Sequence, residues 1–188
     1  MQDHLPANTD SLQPTRIILV GYMGAGKSTL GKALSKATGI PLYDLDTYIE
    51  NRMRKTIGQI FEEKGEDYFR KIERNMLHEV AEFEHVIISC GGGTPCYSDN
   101  MDYLNRQGET IYLKAEPETL FRHLQMARIP RPMLKGMTPE EAQQFIATHL
   151  REREHYYLQA KHIHNVTLLD TFEKIAETVS IIREKLNI

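Results

Sequence analysis

"GYMGAGKS", residues 21–28, lies between the β-branched run Arg16–Val20 and a stretch, Lys27–Thr38, that carries Leu30, Ala33, Leu34 and Ala37 at helical spacing. Gly21, Gly26, Lys27 and Ser28 fit the pattern GxxxxGK[ST], placed between a strand and a helix as its physics requires. Glycines let a backbone wrap a phosphate with its N–H groups, and the helix N-terminus adds a positive end. The stretch therefore reads as a cradle for a nucleoside triphosphate, made by Gly24, Ala25, Gly26, Lys27, Ser28 and Thr29. Lys27, expected on the exposed start of the helix, would reach the outer phosphates, and Ser28 would ligate Mg²⁺. The cradle leaves the phosphate acceptor to be found elsewhere in the chain.

The same alternation of strand and helix continues outward. Residues 42–45, 86–90, 110–113 and 166–169 read as further short strands. Residues 47–54 read as a helix opened by a capping box of Thr47 and Glu50, which leaves Asp44 and Asp46 unneeded for capping. An apolar face of Ile57, Ile60 and Phe61 breaks at Gly65, and a longer helix carries Phe69, Ile72, Leu77 and Val80. Residues 117–124 are predicted helical, with Leu120, Phe121 and Leu124 inward. Thr138 and Glu141 make another capping box, opening a long helix to about residue 160. A final helix is predicted from Asp170, with Phe172, Ile175, Val179 and Ile182 on its apolar face. This order predicts an α/β fold: three layers, a parallel sheet covered by helices on both sides.

Length and composition bound the function. At 188 residues, with 40% hydrophobic and 26% charged residues, the chain suits one globular domain over residues 15–188. A net charge of −3 argues against nucleic-acid binding. Two cysteines, Cys90 and Cys96, without a CxxC, read as reduced thiols. Residues 1–14 are polar, lack a basic start and an apolar run, and read as a flexible arm rather than a signal peptide. No apolar run is long enough for a membrane span, so a cytoplasmic, monomeric protein is expected. His162 and His164 are the closest histidine pair, but no further ligands lie at a metal-binding spacing.

Three features stand where parallel sheets bind ligands, near the ends of strands. "DLD" supplies Asp44 and Asp46, one suited to Mg²⁺ and the other to accepting a hydroxyl proton. "FRKIE", residues 69–73, presents Arg70, whose planar fork suits a carboxylate. "GGG", residues 91–93, follows a strand where a backbone must approach something closely. No NKxD tetrapeptide is present, and the strand "VIISC" has Ser89 near the place of a Walker B acid. A switch GTPase or motor ATPase is thereby disfavoured against a small-molecule or nucleotide kinase.

Taken in order, "GYMGAGKS", "DLD", "FRKIE", "VIISCGGG" and "RIPRPML" resemble the shikimate kinases, over about residues 16–185. The resemblance implies ATP-dependent phosphorylation of the 3-hydroxyl of shikimate, a step towards chorismate and the aromatic amino acids. It implies a five-stranded parallel sheet of order 2-3-1-4-5, a shikimate-binding part at about residues 46–75 and a mobile lid at about 126–138. By the same resemblance Asp46 contacts the ring hydroxyls and serves as base, and Asp44 lies near Mg²⁺ through a water. Arg70, Gly92 and Arg153 contact shikimate, and Arg131 is the lid arginine on the phosphates. The chain differs from the family pattern in having His155 two residues after Arg153 and in a short lid, with only two residues between Arg128 and Arg131. Two other classes stay open at this level: a related small-molecule kinase, such as a gluconate kinase, and a regulatory protein that binds ATP without turnover.

Overall fold

The computed structural model describes residues 15–127 and 132–188. In chain order the elements are β1 (Arg16–Val20), α1 (Lys27–Thr38), β2 (Leu42–Asp44), α2 (Leu45–Met53), α3 (Ile57–Lys64) and α4 (Glu66–Ala81). They continue with β3 (Val86–Ser89), a 3₁₀ turn (Thr94–Cys96), α5 (Asn100–Gln107), β4 (Glu109–Lys114) and α6 (Pro117–Met126). A second 3₁₀ turn (Pro132–Leu134), α7 (Pro139–Tyr157), β5 (His162–Asn165) and α8 (Phe172–Leu186) complete the chain. The five strands pair in parallel in the order β2-β3-β1-β4-β5, as the resemblance implied.

The central strands are apolar on both faces because helices cover both. Ile17, Ile18, Leu19 and Val20 of β1, with Val86, Ile87 and Ile88 of β3, are fully buried. Each such side chain contributes about 1.5–3 kcal/mol on burial, which fixes the middle of the sheet. Chain order reverses at β1, between β3 and β4. The loop after β1 therefore opens into the crevice at the C-terminal ends of the strands.

Several elements differ from their predicted bounds, each for a local reason. β2 stops at Asp44, because Asp44 is itself the N-cap of α2 and its carboxylate accepts from the Thr47 N–H at 3.3 Å. The expected Thr47–Glu50 box does not form; Glu50 instead accepts the Ile57 N–H at 3.0 Å. A true capping box, Thr56 with Gln59, opens α3. The Thr138–Glu141 box at the head of α7 forms as expected.

The last strand is His162–Asn165, not 166–169. Ile111 to Lys114 of β4 pair with these four polar and apolar residues in register, and Val166 adds one more bond to Lys114. As a half-solvated edge, β5 tolerates the histidines that hid it in the sequence. α8 is capped by Thr171 rather than Asp170, and Phe172 points outward, 76% exposed. α5 and the turn before it were not foreseen, although Asn100, Met101 and Leu104 form a buried face there. Among the described residues, no helix is long and apolar enough to cross a membrane.

Candidate active site

The loop from β1 to α1 has the backbone that a phosphate cradle needs. Gly26, the N-cap of α1, holds φ at +88°, and a Cβ there would stand 2.6 Å from Leu169. Both conditions admit glycine alone. Lys27 is buried rather than exposed, at 8%. Its Nζ donates to the carbonyls of Gly21 at 2.7 Å and Tyr22 at 2.9 Å, which holds the ammonium over the mouth of its own loop.

Asp44 stands beside the cradle because of strand register. It is the Cα partner of Ser89 across β2 and β3. Its Oδ2 accepts from Ser89 Oγ at 3.2 Å and from Ser28 Oγ at 2.7 Å. The acid absent from the end of β3 is thus supplied by the neighbouring strand. Ser28 and Asp44 form a set of hard oxygen donors without nitrogen or sulfur, which suits Mg²⁺ completed by water and phosphate. Among the described residues no cluster of three or more His, Cys, Asp or Glu could hold a metal, and Mg²⁺ bound with a nucleotide needs none.

Asp46 sits in the first turn of α2 and borders the same cleft. A Cβ on Gly91 would fall 2.7 Å from its Oδ1. The triplet Gly91–Gly93 shows what its missing side chains are for. At Gly92 a Cβ would lie 3.2 Å from the Met23 backbone nitrogen, and at Gly93 only 2.6–2.9 Å from the Arg70 guanidinium. The triplet lets Asp46, the cradle and Arg70 close on one another.

Arg70, in α4, is held by two glutamates. Its Nη1 donates to buried Glu73 at 2.8 Å, and its Nε and Nη2 donate to exposed Glu66 at 3.2 and 3.0 Å. Burial lowers the Arg70 pKa, but the two carboxylates outweigh it and leave it raised. Glu73 also accepts from Thr94 Oγ1 at 2.6 Å, tying α4 to the turn after the glycines. Arg153, in α7, stands near enough to Tyr157 for its charge to act on the hydroxyl, and Tyr157 donates to the Gly92 carbonyl at 2.6 Å. Both arginines therefore flank the triplet. Nearby, burial pushes the Tyr22 hydroxyl up to about 12, and it bonds His149 Nδ1 at 2.9 Å. Burial also pushes the Cys90 thiol up, so it is a neutral core side chain and no nucleophile.

A cleft of about 300 Å³ joins the cradle to the two acids and to Gly91 and Gly92; Arg70 and Arg153 are not among its lining residues. Gly24, Gly26, Lys27, Ser28 and Thr29 line it together with Asp44, Asp46, Ser89 and Gly92. Its other wall is His123, Leu124, Met126, Ala127 and Leu169; Leu169 lies in "LLDT", residues 168–171, which resembles the adenine-side loop of the family, whereas His123 carries no motif. Glu73 and Tyr157 were likewise missed as supports, although Glu73 lies inside "FRKIE". Arg128 and Arg131 lie outside the described residues. Of the stretch expected as a lid, Met126 closes α6 and Pro132–Leu134 form a single 3₁₀ turn.

A nucleotide cradle at the switch point of a 2-3-1-4-5 parallel sheet, with Asp44 and Asp46 on the same cleft and Arg70 against Gly93 beside it, defines a P-loop kinase. The family model described as shikimate kinase matches residues 23–183, and the chain belongs to the shikimate kinase family. It is similar to the shikimate kinase of Phocaeicola vulgatus, 50% identical over 173 residues that cover 92% of this chain and 99% of that protein. The crystal structure of shikimate kinase from Bacteroides thetaiotaomicron matches with a TM-score of 0.91 and 48% identity, over 94% of this chain and 100% of that one. Shikimate kinase from Acinetobacter baumannii in complex with shikimate matches with a TM-score of 0.78 and 30% identity, over 94% of both chains.

Proposed function

We infer that the chain transfers the γ-phosphoryl group of ATP to the 3-hydroxyl of shikimate, giving shikimate 3-phosphate and ADP. The observation that carries this reading is that Asp46, Gly91 and Gly92 share one cleft with the cradle, while Arg70 lies against Gly93 at its side. A phosphate donor and a hydroxy acid are thereby offered neighbouring places.

The roles follow from the chemistry of each group. Residues 24–29 hold the phosphates of ATP through backbone N–H groups, and Lys27 leaves its carbonyls to neutralise the migrating charge. Ser28 directly, and Asp44 through a water, would hold Mg²⁺. When bound, the ion neutralises charge on the β- and γ-phosphates. Asp46 orients the ring hydroxyls and accepts the proton of the 3-hydroxyl as its oxygen bonds to phosphorus and ADP departs. Arg70 and Arg153 take the shikimate carboxylate beside Gly92, with the exposed Glu66 yielding its place on the Arg70 fork. Residues 46–75 are then the acceptor-binding part and 126–138 the lid, from which Arg131 reaches the phosphates. Every residue assigned belongs to one chain, in keeping with action as a monomer.

Locating the new phosphorus tests the reading. Incubation with ATP, Mg²⁺ and shikimate is expected to give one product whose ³¹P signal couples to the proton at C3. Coupling to C4 or C5, or no phosphorylated acceptor at all, would refute it.

A further inference from the structure

His123, near the end of α6, touches the cradle on one side and the segment after β5 on the other. Its Nδ1 lies 2.7 Å from the Gly24 carbonyl oxygen, and its Nε2 lies 2.8 Å from the Leu169 backbone nitrogen. The partners fix the tautomer. A carbonyl only accepts, so Nδ1 carries the proton; a backbone N–H only donates, so Nε2 is bare. The imidazole uses both nitrogens and joins two backbones that no strand or helix joins.

Both joined segments line the nucleotide cleft. Gly24 is part of the cradle, in the left-handed region at φ +81° and tight against Leu120 and Leu124 of α6. Leu169 is buried and its side chain covers Gly26. The chain between β5 and α8 has no regular structure at Leu169, so the bond to His123 stands there beside the packing of Leu169 on Gly26 in place of a sheet or helix bond. His123, Gly24 and Leu169 thus close a ring: imidazole to cradle, imidazole to segment, and segment back onto cradle. A nucleotide in the cleft meets the cradle at its phosphates and the Leu169 wall beyond them.

We propose that His123 is a positioning residue for the nucleotide: it holds the cradle at Gly24 and the wall at Leu169 in fixed register, so that ATP binds to two surfaces already aligned. The proposal rests on the reading of this cleft as the ATP site. It acts on binding of the nucleotide and leaves both the acceptor recess and the proton transfer at Asp46 alone.

Three substitutions separate the two bonds. His123→Asn keeps a donor near the place of Nδ1, His123→Gln keeps an acceptor near the place of Nε2, and His123→Ala keeps neither. The expected result is a rise of about tenfold in the ATP KM and in the ADP dissociation constant, measured by calorimetry, for His123→Ala. His123→Asn and His123→Gln should fall between it and the unchanged protein. The shikimate KM should stay within about twofold, as should kcat at saturating ATP. Unchanged ATP and ADP affinity in all three variants would overturn the proposal, as would an equal loss of shikimate affinity, which marks a general structural role. Because ADP binding is read without turnover, an inactive parent protein would count against the kinase reading and leave the test of His123 standing.

Discussion

At the scale of single residues, the two acids of "DLD" have separate work because they fall on opposite sides of an element boundary. Asp44 ends β2 and faces Ser28 and Ser89; Asp46 is already in the first turn of α2 and faces Gly91. Asp46→Asn keeps the shape but removes the proton acceptor. We expect kcat to fall by about 10²–10⁴ with a much smaller change in shikimate KM, read from initial rates with both substrates varied. A fully active variant would reduce Asp46 to a positioning group. Lys27→Ala should lower kcat by at least about 100-fold, because no other cradle side chain carries charge to the γ-phosphate. Since Lys27 is buried on two carbonyls, we also expect a loss of about 1 kcal/mol in urea unfolding. That loss was not legible in the sequence, which placed Lys27 on an exposed helix start. The ammonium turns back onto its own loop, and only the coordinates reveal it.

At the scale of elements, caps and close approaches do chemical as well as structural work. Asp44 both caps α2 and presents its other oxygen to Ser28. Asp44→Ser keeps a good cap but loses the charge. Its melting temperature should stay within a few degrees, while the Mg²⁺ concentration for half-maximal activity should rise several-fold. An unchanged Mg²⁺ dependence would separate Asp44 from the metal. The glycine triplet gives a second contrast. Gly93 has an ordinary φ of −86°, so alanine strains no backbone there, yet its Cβ would strike the end of Arg70. A guanidinium moves easily, so Gly93→Ala should cost little stability. It should raise the shikimate KM at least about tenfold with the ATP KM unchanged. Equal changes in both KM values would mean that the triplet supports the whole cleft rather than Arg70. In the sequence the triplet signalled a close approach without naming its partner. For Gly93 the partner is Arg70, 23 residues away, brought there by Glu73 and Thr94; for Gly91 it is Asp46 and for Gly92 the Met23 backbone. Elements with a strong apolar period were legible: β1 and α1 were read at their observed bounds, and α4 as a helix after Gly65 with its apolar face. β5 and α5 were not, because the one is an edge strand of histidines and the other a short helix whose pattern spans barely two turns.

At the scale of the whole molecule, strand order decides where the parts meet. Alternation of strand and helix indicated a parallel sheet, but only the family resemblance supplied the order 2-3-1-4-5. That order places β3 and its glycines beside β1 and its cradle, and it sets Asp44 against Ser89. The acceptor side of the cleft was legible because its residues sit in motifs. The far wall was legible only in part: "LLDT" pointed to the segment of Leu169, but nothing in the sequence joins it to His123 and Leu124, which meet it through one imidazole. The central claim is that this cleft couples ATP to a hydroxy acid and not to water or to another polyol. A coupled assay of ADP release, run with Mg²⁺-ATP alone, with D-gluconate and with shikimate, tests it most directly. The account predicts release stimulated at least about 100-fold by shikimate, with gluconate no better than the blank. Release that is equal with and without shikimate, or stimulated by gluconate instead, would contradict it.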